Sequence, residues 1–337
     1  MINKYLSKTI AIILLTIPAI IPQSKVGTTA ANFLTIPIGP RATGMGGAFT
    51  AVAGDVTAAY WNSAGLPRLE KSEFSVSHAG WLAGTDFNWL GFAYKLDENN
   101  AIAVSVNQLD YGEEEITNYD NPNGTGQMWD AMDIAIGVSY ARNLTERFSI
   151  GGTVKYIQQR IWNETASAFA VDVGLLFKTQ FHDLMIGMNI TNFGSEIKFE
   201  GKDLYQPVDI DRSHTGNNEN IVASLNTSSW MLPLIFSVGT SMQPVRTRDW
   251  KWTVAADAVY PNNQKAYLNT GTELTWLDLV SLRVGYNSLF KEDAEEGLTA
   301  GLGLQYCFGT YGVRVDYSYM DFGIFDEISR YSVSIIF

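Results

Sequence analysis

A single cysteine, Cys307, stands in 337 residues, so no internal disulfide can form. The chain is therefore not a small stapled secreted domain, and its stability must come from backbone pairing and burial. Histidine is equally scarce: His78, His182 and His214 are scattered, none with a second ligand at metal spacing. Long apolar runs are lacking too. The only one, Thr9 to Ile21 behind Lys4 and Lys8, is too short to span a bilayer as a helix and has the make-up of a secretory h-region. This excludes a helical membrane protein and predicts export from the cytoplasm. Positive charge is in short supply, with 23 Lys and Arg against 35 Asp and Glu and a formal net charge of −12. Nucleic acid is thus not an expected partner. The acidic runs Glu113–Glu115 and Glu292–Glu296 read as solvated loop tips.

Catalytic patterns are missing as well. Gly44-Met-Gly-Gly47 lacks the buried strand before it and the Lys-Ser/Thr after it that a phosphate loop needs. Asp120-Asn-Pro-Asn-Gly124 has calcium-loop residue types in the wrong order. No catalytic residue, cofactor or metal is expected.

What the sequence has in quantity is alternation. In the last ten residues Tyr331, Val333, Ile335 and Phe337 fall on one face and Ser332 and Ser334 on the other. From Ser72 onward about fourteen segments of roughly ten residues repeat this pattern, the length a tilted strand needs to cross a bilayer. Leu298, Ala300, Leu302, Leu304, Tyr306 and Phe308, for example, alternate with Thr299, Gly301, Gly303, Gln305 and Cys307. Charges in the strand centres keep to the second face: Asp133, Lys155, Asp172, Asp257, Glu273, Arg283, Arg314 and Asp316. Both signs on one face suit a lumen in which charges pair, and the opposite face suits hydrocarbon. Tyr140, Tyr156, Phe177, Tyr260, Tyr306, Tyr319 and Tyr331 cluster near segment ends, where interfacial girdles lie. A soluble sandwich would bury such aromatics centrally. The fold class predicted is all-β: a transmembrane antiparallel β-barrel of about 14 strands.

Connection lengths predict topology. Asp97–Asn100, Asn143–Arg147, Thr179–Asp183, Thr275–Leu279 and Gly309–Tyr311 are short and read as periplasmic turns, while Asp110–Ala131 and Gly194–Met231 are long and read as outer loops. An even strand number then places both termini on the periplasmic side of a bacterial outer membrane. The final strand, Tyr331, Val333, Ile335 and Phe337, is the segment expected to meet outer-membrane lipid and the barrel-assembly machinery. Recurrent inward glycines, Gly137, Gly151, Gly174, Gly187, Gly239, Gly271, Gly285, Gly301 and Gly303, fit either wall curvature or room for another backbone.

Residues 32–66 differ in kind. Small residues dominate, Gly44, Gly46, Gly47 and Gly54 allow tight turns, and Asp55 is placed to cap one short helix running to Trp61. The segment reads as a compact plug, or hatch. The expected domains are a signal peptide over 1–24, with cleavage as late as 30, a plug over 25–71 and a barrel over 72–337.

The stretch Gly39-Pro-Arg-Ala-Thr-Gly-Met-Gly-Gly-Ala-Phe-Thr-Ala-Val-Ala-Gly-Asp-Val-Thr-Ala-Ala-Tyr-Trp-Asn-Ser-Ala-Gly-Leu66 resembles the N-terminal region of the PorV/PorQ family, part of the wider FadL-like group of outer-membrane barrels. Family members typically carry proline where Ser63 stands. The resemblance covers about forty residues closely and marks Arg41, Gly44, Gly46, Gly47, Asp55, Trp61 and Asn62 as plug positions. It implies a non-enzymatic component of type IX secretion that meets secretion-system subunits and exported proteins bearing a C-terminal signal. Trp81, Phe87, Tyr119, Trp129, Tyr205 and Trp230 are the candidate loop contacts. The alternative implied is a FadL-like channel for a hydrophobic small molecule, with an apolar pocket under the outer loops contributed by Trp81, Leu82, Phe87, Trp230, Met231 and Leu232.

Overall fold

The computed structural model describes residues 27–52, 54–209, 213, 221–291 and 294–337; the expected signal peptide over 1–24 and His214 lie outside them. Period-2 alternation presents one face of each segment outward and one inward, and the chain forms long strands accordingly. They are β1 (Glu73–Gly80), β2 (Asp86–Lys95), β3 (Asn100–Glu115), β4 (Met128–Asn143), β5 (Phe148–Ile161), β6 (Glu164–Lys178) and β7 (Met185–Gly194). Three short strands follow, β8 (Phe199–Gly201), β9 (Tyr205–Val208) and β10 (Ile221–Ser224). The wall resumes with β11 (Ile235–Arg246), β12 (Trp250–Pro261), β13 (Tyr267–Trp276), β14 (Val280–Leu289), β15 (Leu298–Phe308), β16 (Tyr311–Asp321) and β17 (Glu327–Ile336).

Neighbouring strands pair antiparallel, β7 pairs with β11, and β17 returns to β1 with Glu73 opposite Ile336 and Ala79 opposite Arg330. Closure into a 14-stranded barrel leaves no edge in the wall. Tyr331, Val333, Ile335 and Phe337 are exposed on the outer face, as are Leu298, Leu302, Leu304, Tyr306 and Phe308. Aromatic pairs mark the rim with the short turns: Trp250 with Trp276, Phe92 with Phe337, and Phe308 with both Tyr306 and Tyr311.

Two boundaries differ from the sequence reading. The segment 110–131 is not one loop: β3 and β4 continue as a hairpin beyond the wall, past a bulge between Asp110 and Glu113, so that only 116–127 connects them. Paired strands extend wherever backbone groups outside the lipid still find partners. The segment 194–231 likewise carries structure, with β8 added to β6 and β9 paired with β10. Both lie at the end of the barrel opposite the short turns.

Candidate functional site

Residues 29–69 run through the inside of the barrel. At the long-connection end the Ala30 N–H donates to the Met231 carbonyl at 3.0 Å and the Ala31 N–H to Gln159 Oε1 at 3.1 Å. At the short-turn end Arg68 Nε donates to Ser149 Oγ at 3.0 Å, and the Phe337 N–H donates to the Ser72 carbonyl at 2.9 Å. The first described residues and the C-terminus therefore lie at opposite ends of the barrel, and the N-terminus itself lies outside the described residues. Parity sets only where β1 begins; the lumenal segment then crosses the barrel once more.

Close seating of this segment depends on the glycines of the wall. A Cβ at Gly271 would fall 2.1 Å from the Met45 carbonyl oxygen, at Gly285 2.2 Å from the Gly46 nitrogen, and at Gly187 2.2 Å from the Thr50 carbonyl oxygen. Gly151, Gly174, Gly239 and Gly301 similarly face Ser63, Asn62, Thr50 and Gly44, whereas Gly137 and Gly303 meet only side chains of neighbouring strands. Room for a second backbone, more than curvature, accounts for most of the series. On the segment itself, Gly46 and Gly47 have φ of 66° and 75°, turning the chain where β13 and β14 press against it.

The segment is bound by a chain of alternating charges. Arg41 donates through Nη1 to Asp55 at 2.9 Å and through Nη2 and Nε to Glu273 of β13 at 2.7 and 2.9 Å. Glu273 also accepts from Arg283 Nε of β14 at 2.7 Å, whose Nη1 reaches Asp316 of β16 at 2.7 Å. Asp316 accepts from Arg314 Nε at 3.1 Å, and Arg314 closes the series on Glu73, which accepts the Val56 N–H at 3.2 Å. Three guanidinium groups thus hold four carboxylates, and the series begins on the lumenal segment and ends on Glu73 of β1, which binds that segment through the Val56 N–H. Planar, forked donors suit this bidentate linkage better than lysine would.

Asp55 does not cap a helix. The helical turn is only Ala58–Trp61, beginning after Thr57, and Asp55 accepts instead from the Thr57 N–H at 2.9 Å and the Thr57 hydroxyl while its other oxygen faces Arg41. Burial raises the Asp55 carboxyl, but the Arg41 and Arg314 charges and the Thr57 bond outweigh burial and hold it below the ordinary carboxylate range. A depressed folded value stabilises above the unfolded value, about 3.9, and that contribution fades as pH falls through the lower folded one. The stability difference between wild type and Asp55→Asn is therefore expected to shrink as pH falls below about 4, as measured by urea unfolding across a pH series.

Of the other inward charges, one bonds the segment directly and the rest bond residues of the wall. Asp257 of β12 accepts the Phe49 and Thr50 N–H groups at 2.8 and 2.7 Å. Lys155 of β5 pairs with Asp172 of β6 at 2.6 Å and donates to Asn192 Oδ1 at 2.9 Å. Asp133 of β4, nearer the long connections, accepts from Tyr111 and Gln159. Among the segment's own residues, Trp61 Nε1 donates to the Ile38 carbonyl at 3.2 Å, and Asn62 Nδ2 ties Thr50 to Leu175 at 2.8 and 3.0 Å. Ser63 opens the 3-10 turn Ser63–Arg68, a first position where proline is also tolerated.

The six candidate loop aromatics do not form one surface. Tyr119, Tyr205 and Trp230 are exposed at the long-connection end, and Trp129 lies half-buried on the β3–β4 hairpin. Phe87 belongs to the interior of β2, buried at 3% exposure, and Trp81 packs inward against Phe322 at 5.6 Å between ring centroids. Strand parity at Phe87, shared with the buried Trp89, was the signal that places it inside. Two buried charged residues of the interior were not marked from the sequence: Glu73, the first residue of β1, and Arg330, which shares the inward parity of Ser332 and Ser334. A cavity of about 150 Å³ remains beneath the long connections, lined by Leu34, Ile36, Tyr60, Trp81, Met320 and Phe322 among others. Trp230, Met231, Leu82 and Phe87 do not line it.

Among solved structures the fold is similar to a monoaromatic hydrocarbon channel, CymD, with TM-score 0.56 and 12% identity over 89% of this chain and 96% of that one. It is also similar to the toluene transporter TodX of Pseudomonas putida, with TM-score 0.54 and 11% identity over 87% and 96%. A FadL homologue of Pseudomonas aeruginosa gives TM-score 0.51 and 12% identity over 86% and 95%. Identities this low show a shared FadL-like outer-membrane barrel fold and nothing of ligands. No curated protein sequence matches the chain. The family described as "Type IX secretion system protein PorV" matches residues 21–227, which span the lumenal segment and the first half of the wall. This outer-membrane barrel belongs to the PorV family of type IX secretion system proteins.

Proposed function

We propose that the protein is a non-enzymatic component of type IX secretion that holds or shuttles exported proteins by their C-terminal signal, using the long-connection end as its recognition surface. The observation that carries this reading is the family match, joined to a lumen filled by residues 29–69. In this reading the short-turn end with Phe337 faces the periplasm, residues 1–24 are a signal peptide, residues 25–71 are a plug, and residues 72–337 are the membrane barrel. Exposed Tyr119, Tyr205, Trp230 and Met231 offer the aromatic and apolar contacts that protein partners use. Uptake of a hydrophobic small molecule would need a continuous path, and the charge series and buried backbone of the lumenal segment disfavour one.

The test is purification from the native outer membrane in mild detergent after in-cell cross-linking, with mass spectrometry of what co-purifies. Secretion-system subunits together with proteins sharing a C-terminal domain are expected. Their loss on deleting residues 199–225, while the barrel keeps its heat-modifiable mobility, is expected as well. Recovery of neither class in the intact protein would overturn the reading.

A further inference from the structure

The lumenal segment is held by ion pairs at Arg41 and Asp55, but by neutral groups where it enters the barrel at the long-connection end. There the Ala30 N–H donates to the Met231 carbonyl at 3.0 Å, the Ala31 N–H donates to Gln159 Oε1 at 3.1 Å, and Thr29 Oγ1 accepts from Asn263 Nδ2 at 2.7 Å. Amid these contacts Ala31 has φ 52° and ψ 40°. Alanine disfavours this left-handed region because its Cβ crowds the following carbonyl oxygen. The residue is 2% exposed, and the 3-10 turn Asn32–Thr35 follows it directly. Rotation of Ala31 back to negative φ releases the strain and carries Thr29 and Ala30 away from Met231.

What Thr29 and Ala30 cover is a strand edge. Successive residues of an extended chain offer their N–H and C=O groups to opposite sides. Trp230 uses one side, exchanging both of its backbone bonds with Ile197 at 2.9 Å, while Met231 turns the other side to Thr29 and Ala30 in a parallel bridge. Residues 230–231 are thus the middle of three short extended pieces, at the foot of the long connection that carries β8, β9 and β10. Lifting the outer piece opens the Met231 edge beside two large apolar side chains, Trp230 at 47% and Met231 at 61% exposure. An open strand edge of this kind takes an extended peptide by β-addition. The chain itself shows the fit, since an extended piece already lies there.

We propose that residues 29–31 are an internal stand-in for a partner. Thr29 and Ala30 cover the Met231 edge in the resting protein, and an extended strand of a protein partner displaces them, with Ala31 as the hinge. This contact belongs to the export reading and rests on it.

The experiment locks the stand-in. T29C/M231C places cysteines at directly paired positions of neighbouring strands, within disulfide reach, while Cys307 lies by the short turn between β15 and β16 at the other end of the barrel. Cells are treated with diamide or with dithiothreitol before the cross-linked purification, and folding is checked by heat-modifiable mobility. Exported proteins are expected to be lost from the oxidised double variant and to return on reduction, with neither single variant responding to diamide. A31G accepts the left-handed conformation without strain, so it is expected to keep the stand-in seated and lower recovery about fivefold or more with no disulfide present. That variant decides alone should the double variant not fold. Undiminished recovery in the oxidised barrel with its disulfide confirmed by mass, or in A31G, would each overturn the stand-in and leave the export reading intact. Recovery of no exported protein from the wild type would overturn both.

Discussion

Gly271→Val is expected to unseat the lumenal segment, destabilising the folded protein by about 3 kcal/mol or more, the upper end for overpacking. A Cβ there meets the carbonyl oxygen, carbonyl carbon and Cβ of Met45 at 2.1, 2.6 and 2.7 Å. Those atoms belong to backbone or lie next to it, so no rotamer change relieves the clash. The sign of the effect is diagnostic. If the glycine served only curvature, valine, a favoured strand residue, would be tolerated or would stabilise. Planar-bilayer conductance and limited proteolysis of the reconstituted barrel check the prediction: higher conductance and new cleavage within residues 38–56 are expected. Gly80→Ala is the control, since a Cβ at Gly80 meets nothing within 4 Å. Unchanged conductance and stability in Gly271→Val would mean that the close approach of Met45 is not what the glycine provides.

Arg41→Met is expected to cost about 3–5 kcal/mol, the range for removing one partner of a buried ion pair. The loss arises from what remains. Asp55 keeps only Thr57 as a donor within its loop, Glu273 keeps only Arg283, and both carboxylates stay buried with side chains 0% and 5% exposed. The guanidinium also lies 5.4 Å from the Phe49 ring centroid, a packing contact that methionine replaces in part. Urea unfolding in detergent gives the magnitude. Arg41→Met with Asp55→Asn is expected to lose less than the sum of the singles, because the second change removes a charge the first has orphaned. Lys178→Met, which breaks an exposed pair with Asp183 at 3.1 Å, sets the scale of a surface bridge at about 0–1 kcal/mol. Equal effects in Arg41→Met and Lys178→Met would show that the series does not hold the segment in place.

Legibility of the molecule from its sequence follows the range of the interactions involved. Alternation in Leu298–Phe308 and Tyr331–Phe337 is local, because successive Cβ atoms point to opposite faces whatever the partner strand, and it sufficed to count the wall strands. The same parity put Asp133, Lys155, Asp172, Asp257, Glu273, Arg283, Arg314 and Asp316 inside, where the structure has them. Strand ends were less legible. Beyond the lipid, β3 and β4 continue in Glu113–Glu115 and Met128–Asp130, polar or mixed residues whose pairing comes from the partner strand and not from their own pattern.

The interior shows the division most clearly. By itself the sequence determined an exported 14-stranded barrel with a polar, charged lumen and a small-residue segment ahead of it, because periodicity and composition act within a few residues. Only the tertiary structure decided that this segment crosses the lumen from one end to the other, that Gly271, Gly285 and Gly187 are spaces for its backbone, and that Arg41 reaches a carboxylate 232 positions away. It alone paired Arg314 with Glu73 and placed Arg330 against the Trp81 ring with no carboxylate partner among the described residues. The physical reason is that closing the sheet brings β17 against β1, so inward side chains from distant segments meet across one lumen. Which of them neutralise one another is settled by distance, which no local pattern encodes.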